Sequence, residues 1–411
     1  MKVNLNPSKR GNISPVAGAV FLAVIFFLAA LPAFSQEFGV VLDNKAELKD
    51  GGNPFGDVEY TGTALPWFAA PLGDKAGLYL SGGISAWYSD EKWKPLPEIR
   101  RFEVTFDPRP GLRVEIGRLP FGENSRAMAG LLDGVSFRLN AGGGRLGGGV
   151  FYTGLLYKKA ACIVMSPEDR TGYEDGETYF ASRRIAASVN WERAGIFNTR
   201  GAFSAGGAAQ FDLNGGSALF HSQYLEAGVK APLIGRARAG FGWAVELAEE
   251  TGKDLRAAFE LSAEFHRPLL PAMQDRLSLA GWFSSGDWNG RLGPFTPLTA
   301  RARGKVLQSE SSGVALVEAA YTARLHPKFA ADLYAAYYFR TDTVTFRHSG
   351  IDRSSASPFV GGEAYGGFTW AFFSDVLLSA GGGVFLPRTG KAFRDGAAPV
   401  YRAVLEAGIS F

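Results

Sequence analysis

From residue 36 onward the chain alternates. In 235–247, Ala237, Ala239, Phe241, Trp243, Val245 and Leu247 occupy one set of alternate positions, and Arg236, Arg238, Gly240, Gly242, Ala244 and Glu246 the other. The next segment repeats the pattern, with Ala257, Phe259, Leu261, Ala263 and Phe265 on one face and Arg256, Glu260, Ser262, Glu264 and His266 on the other. A period of two is the mark of a β-strand with two unlike faces; a helix would repeat every 3.6 residues. Segments of this kind fall at 37–48, 58–70, 77–88, 97–107, 111–119, 131–140, 145–157, 182–193, 201–213, 219–231, 235–248, 254–266, 274–285, 313–326, 328–341, 357–371, 374–387 and 398–411.

That predicts about 18 strands, with 16 as the alternative, most of them near the roughly 10 residues that cross a bilayer at a tilt. The connections alternate too. Tight Pro-, Gly- and Asp-bearing turns such as "DPRPG" (107–111), "AGGGR" (141–145) and "FFSD" (372–375) are interleaved with long polar stretches at 158–181, 286–312, 342–356 and 388–397. Strands of a soluble sandwich average five or six residues and keep charge outside. These are longer, and aromatics gather toward their ends: Tyr79, Trp87, Trp191, Tyr334, Tyr337, Tyr338 and Phe339. The expected fold is all-β, a transmembrane antiparallel up-and-down barrel with short periplasmic turns and long extracellular loops. Closure is the way strands satisfy every backbone amide in lipid.

The N-terminus changes the picture of compartment. Lys2, Lys9 and Arg10 precede the apolar run Val16–Leu31, followed by Pro32 and small residues to Ser35. This reads as a signal peptide over 1–35, with 36–411 a single outer-membrane barrel domain. An even strand count puts both termini in the periplasm of a diderm bacterium. The formal charge of +3 falls to neutral when the three basic residues of 1–35 are removed, so no basic field points to nucleic acid. At 46% hydrophobic residues, with 53 glycines and 32 phenylalanines, the chain is too apolar to be disordered.

Chemistry-bearing motifs are few. Cys162 stands alone in an apolar stretch, which excludes an internal disulfide framework. "GGGRLG" (142–147) fits a dinucleotide fingerprint literally but precedes an alternating strand and sits where a turn is wanted. His221, His266, His326 and His348 are not at metal-ligand spacing. The acidic loop 166–178 reads as a solvated surface loop, with a calcium site the minor alternative. No catalytic set, metal or cofactor is expected.

The informative constellation is the charged face. Parity places Arg101, Glu103, Arg113, Glu115, Arg138, Glu226, Lys230, Arg236, Arg238, Glu246, Arg256, Glu260, Glu264, Arg276, Glu318, Arg324, Asp332, Arg340, Glu363, Arg402 and Glu406 on the lumen wall. A one-residue slip would put them in lipid, at about 2–4 kcal/mol for each midplane Arg or Lys. Acids and bases are nearly balanced. Such a wall can hold itself together by cross-strand ion pairs and can also line a path for a polar solute. Loops 119–130 and 286–312, carrying Arg126, Arg291, Arg301 and Arg303, are the candidates to fold inward and narrow that path.

Two patches resemble known families. "VEIGRLPFGENSRAMAGLLDGVSFRL" (114–139) resembles a strand–loop–strand of porin-like proteins. "GGEAYGGFTWAFFSDVLLSAGGGVFLP" (361–387) resembles the penultimate hairpin of the alginate-export-like outer-membrane family. Gly362, Glu363, Trp370, Asp375, Gly383, Phe385 and Pro387 sit at matching places, whereas Tyr365 replaces an aspartate and Arg388 a glycine of the pattern. The resemblance implies a barrel of about 18 strands conducting polar or anionic solutes. It also implies that Phe411, a terminal aromatic on the last strand, is the signal read by barrel-assembly machinery. The balanced wall argues against carrying alginate itself over. The expectation is a monomeric porin or export-type channel in outer-membrane lipid, passing small polar or charged solutes, saccharides among the candidates, passively. The alternatives are a barrel enzyme, a lipase or protease, and a structural or adhesin barrel.

Overall fold

The computed structural model describes residues 36–50, 57–89, 92–122, 125–196, 200–215, 219–288 and 292–411. The segment read as a signal peptide, and Arg291, lie outside the described residues. The strands are β1 (Glu37–Asp50), β2 (Asp57–Pro71), β3 (Ala76–Ser89), β4 (Lys92–Arg109), β5 (Leu112–Phe121), β6 (Gly130–Ala141), β7 (Gly144–Tyr152), β8 (Arg184–Ile196), β9 (Gly201–Asp212), β10 (Phe220–Pro232), β11 (Arg238–Glu250), β12 (Arg256–Arg267), β13 (Arg276–Ser284), β14 (Val314–His326), β15 (Phe329–Arg340), β16 (Phe359–Ala371), β17 (Val376–Pro387) and β18 (Val400–Ser410). Two short helices, α1 (Lys158–Ala161) and α2 (Pro167–Glu174), interrupt the connection from β7 to β8.

Each strand pairs antiparallel with its sequence neighbours, and β18 pairs back onto β1. The result is a closed 18-stranded barrel. The seam runs from Val41 opposite Ser410 to Asp50 opposite Tyr401, and Phe411 extends it by exchanging backbone hydrogen bonds with Val40. Both described chain ends and the short turns lie at one end of the barrel; the long connections lie at the other. Gly142 and Gly143, the core of "GGGRLG", both have positive φ and form the turn between β6 and β7, a backbone shape glycine adopts without strain.

The alternation separates two environments. On β11, Phe241, Val245 and Leu247 are exposed, while Ala244, Glu246 and Ala248 are buried. The same division recurs at Leu225 against Glu226, Leu261 against Glu260, and Leu333 against Tyr334. The exposed set is apolar and faces outward. The buried set faces inward, where it meets chain segments remote in sequence. Bulges correct the phase where strict alternation would fail. Ile99 and Phe102 are both exposed although their parity differs, because the β3–β4 register shifts between Ser81 and Gly82.

The aromatic girdle is a partial correction. Tyr337 is exposed on the outer face, and Trp191 packs against the outward Phe203. Tyr334 and Tyr338 are buried inside, the first donating to Glu318. Tyr79 stacks under the Arg101 guanidinium beside Glu103. These tyrosines share their strands' inward parity, and their hydroxyls need polar partners that hydrocarbon cannot supply.

A charge on the outer band should therefore be costly. Val245→Arg, between Leu225 and Phe259 on the outer face, is expected to lower barrel stability by about 2–4 kcal/mol, measured by urea-dependent folding into lipid vesicles.

Candidate functional site, a cavity framed by inward loops

Three of the long-end connections meet inside the barrel. The first, between β5 and β6, turns inward at Ser125 and Arg126. The Arg126 backbone N–H donates to Glu226 Oε2 at 2.7 Å, and Met128 is fully buried. The second lies between β13 and β14. Its Thr296 N–H donates to Glu246 at 2.6 Å. The two meet inside the barrel, with Ala129 N–H donating to Thr299 Oγ1 at 2.9 Å and Thr299 N–H to the Ala127 carbonyl.

The third connection, between β7 and β8, leaves Glu168, Glu174, Asp175 and Glu177 of the acidic run 166–178 exposed and draws Asp169 inside. Leu156, Ala161 and Ile163 pack in one buried cluster with Leu298. Ser166 and Asp169 cap α2 reciprocally in a capping box. Asp169 also reaches Arg184 Nη2 at 2.5 Å, and Arg184 meets Asp212 at 3.2 Å and Gln210 at 2.8 Å. Arg184 and Asp169 are completely buried, so one aspartate of an otherwise exposed acidic loop is tied to the interior. Lys158 caps the exit of α2 by donating to the carbonyls of Gly172 and Asp175. Burial pushes the Cys162 thiol pKa up, away from a reactive thiolate. Among the described residues no group of three or more His, Cys, Asp or Glu is arranged to hold a metal.

A cavity of about 300 Å³ remains between the first two of these loops and the inner faces of β8 to β14. Arg126, Arg301 and Arg303 line its loop side; Glu226, Glu260 and Trp282 line the wall. Each Glu260 oxygen takes one arginine, Arg126 Nη1 at 3.3 Å and Arg303 Nη2 at 3.4 Å. Arg303 also lies 3.5 Å from the centre of the Trp282 ring, with Arg126 at 5.4 Å. A guanidinium over an indole face keeps its charge while part of its water is removed. Arg301 donates to the carbonyls of Gly122 and Ser125 and so ties the two loops together.

The charged residues named from the sequence divide by partner. Arg101 pairs with Glu103, Arg113 with Asp107, Arg138 with Glu115, Arg256 with Glu250, and Arg402 with Glu47 across the seam. Glu406 accepts from Ser379. Glu226, Glu246, Glu260 and Glu363 bind inward loops. Arg340 does the same for the β15–β16 connection, donating to the carbonyls of Asp352, Ser355 and Ser357. Lys230 and His266 flank Glu264 at 3.6 and 3.4 Å, and His266 Nδ1 lies 2.9 Å from Ser278 Oγ. Arg238 stands opposite His266, Asp332 opposite Thr322, and Arg276 opposite Thr322 from the other side. Arg324 sits at the register shift ending β14. Arg236 belongs to the turn between β10 and β11 and is not on a strand.

Sequence parity missed Arg184, Glu47 and Trp282 as site residues. The first two follow the same inward parity as their named neighbours, and "SPED" (166–169) carries the capping-box spacing that fixes Asp169.

The fold has relatives among solved structures. Pseudomonas aeruginosa OpdQ superposes with a TM-score of 0.61 over 92% of this chain and 99% of its own, at 11% identity. OccK2 (OpdF) of the same organism, solved in complex with glucuronate, gives 0.59 over 92% and 100%, at 12% identity. The outer membrane protein OprD of that organism gives 0.57 over 92% and 94%, at 14% identity. At these identities the likeness is one of fold. No protein-family model and no curated protein sequence matches the chain.

The buried pair generates a prediction. Arg184→Met leaves Asp169 and Asp212 without their cation. It should cost about 3–5 kcal/mol in urea titrations and open 153–183 to limited proteolysis, with the barrel strands still protected.

Proposed function

We propose that the protein is an outer-membrane channel that passes small polar or charged solutes down their gradient through the loop-framed cavity. The observation that carries this reading is the pairing of an apolar outer band with an inner cavity whose loop side presents Arg126, Arg301 and Arg303. An outward belt of leucine, valine and phenylalanine suits hydrocarbon, and the closed ladder leaves no strand edge in it. Inside, Arg126, Arg301 and Arg303 from the loops and Lys230 from the wall share the cavity with Glu192, Glu226, Glu260, Glu264 and Glu318. The three guanidinium groups that the loops turn toward the cavity would engage a solute carboxylate, of the kind that glucuronate represents in the OccK2 structure. The cavity of about 300 Å³ suits a molecule of monosaccharide size.

The remaining expectations form one picture with this. A signal peptide over 1–35 delivers the chain, both termini face the periplasm, and the protein works as a monomer in outer-membrane lipid. Phe411, 71% exposed at the end of the last strand, is available to assembly machinery. The export-type likeness rests on 361–387, and the charge balance of the wall speaks against a polyanion as substrate.

The contact between Ser278, His266 and Glu264 supplies the serine–histidine neighbours a hydrolase would need. These residues lie within paired strands, whose backbone N–H groups serve the ladder and cannot also stabilise an oxyanion. Glu264 is shared with Lys230. We read them as wall polarity.

In planar bilayers the purified protein should conduct with a preference for anions. Arg126→Ala and Arg303→Ala should each reduce that preference, read as a shift of reversal potential in a salt gradient toward zero. Absence of current from a correctly folded barrel would overturn the channel reading.

A further inference from the structure

One motif residue has a role that its place on the wall does not explain. Glu363, on β16, is nearly fully buried. Its Oε1 accepts from the backbone N–H of Lys305 at 2.6 Å. Its Oε2 accepts from Val306 at 3.1 Å and Leu307 at 2.8 Å. Three consecutive amides therefore converge on one carboxylate, a concave arrangement of backbone donors suited to a fixed negative charge. Residues 303–309 form a small hairpin, with Arg303 and Ser309 exchanging both backbone hydrogen bonds. Val306 and Leu307 are buried in the cluster of Tyr338, Val360 and Phe385. Arg402 holds the Lys305 carbonyl at 2.5 Å.

The fit is close enough to dictate sequence. Gly304 has φ +85, and a Cβ there would lie 1.6 Å from the Tyr338 hydroxyl and 2.6 Å from Glu363 Oε1. Glycine is required both by the backbone shape and by the approach of these groups. One residue earlier, Arg303 leaves the hairpin to stack on Trp282 and pair with Glu260. The hairpin tip is thus pinned on β16, and its base projects the guanidinium into the cavity.

We infer that Glu363 is the positioning residue of the passage: by gripping the amides of 305–307 it fixes Arg303 over Trp282 and so sets the charge selectivity. The inference rests on the channel reading above for its functional half. The wall carboxylate does not contact the solute and acts through the loop.

The test pairs hydrogen–deuterium exchange with reversal potentials, on the full barrel in lipid. Glu363→Gln keeps the shape but loses the charge and turns an NH₂ toward backbone donors. It should speed exchange at Lys305, Val306 and Leu307 by about ten-fold or more and reduce anion preference. Gly304→Ala should do the same without touching any charge, which separates loop placement from electrostatics. Asp332→Asn, a carboxylate on the neighbouring strand nearer the short turns, removes an equal charge and should leave exchange at 305–307 unchanged. Exchange within about two-fold of the parent in Glu363→Gln, or equal selectivity shifts in Glu363→Gln and Asp332→Asn, would overturn the inference. A folded parent that passes no current would count against the channel alone, because the exchange rates still decide whether Glu363 holds the hairpin.

Discussion

The first and last strands of this protein are separated by almost the whole chain, yet they share a ladder running from Val41 opposite Ser410 to Asp50 opposite Tyr401. Everything else depends on that seam. An open sheet of this width would leave two rows of unpaired N–H and C=O groups, which hydrocarbon cannot solvate. Closing it fixes an inside and an outside, and once these exist the period-two pattern has a meaning at every position. The ion pair between Arg402 and Glu47 bridges β18 and β1 on the inner side, so charge as well as backbone holds the join. Phe411 completes it by bonding to Val40 while its ring stays outside.

The barrel was largely legible because its rule is local. Whether residue 245 faces out can be decided from residues 241 to 249 alone, and the strand boundaries follow from where alternation stops. What was not legible is what depends on closure or on distance. Tyr334 and Tyr338 look like girdle residues because they are aromatics near a strand end, yet they share the inward parity of Asp332 and Arg340, and the Glu318 that Tyr334 meets lies on another strand. Arg236 follows the alternation of its segment, but the turn from Leu233 to Ala237 consumes it. The acidic run 166–178 reads as solvent-loving and mostly is, but nothing nearby in sequence announces Arg184, which draws Asp169 inside. A capping box can be recognised from four residues; the buried cation that neutralises its aspartate cannot.

Inward parity also did not distinguish the uses to which wall charges are put. Some close the wall on itself, as Arg138 and Glu115 do. Others, Glu226, Glu246 and Glu363, accept from loop backbone amides. A buried carboxylate needs compensation for lost hydration, and backbone N–H groups supply it without adding a countercharge. The loops in turn carry irregular backbone into a closed interior, where unsatisfied amides are costly. Each requirement answers the other. This is why long loops can sit inside the barrel rather than above it.

On the channel reading, that division moves selectivity off the wall. The arginines facing the cavity, Arg126, Arg301 and Arg303, all come from loops, and the wall contributes mainly the carboxylates and the indole that hold two of them in place. A wall near charge neutrality is then no obstacle to a passage that favours one sign, because the sign is set where loops and wall meet. It also means that loop length and anchoring can change the preferred solute without disturbing a single outward-facing residue. The seam and the outer belt obey lipid, whereas the inward loops answer to the few wall carboxylates that hold them.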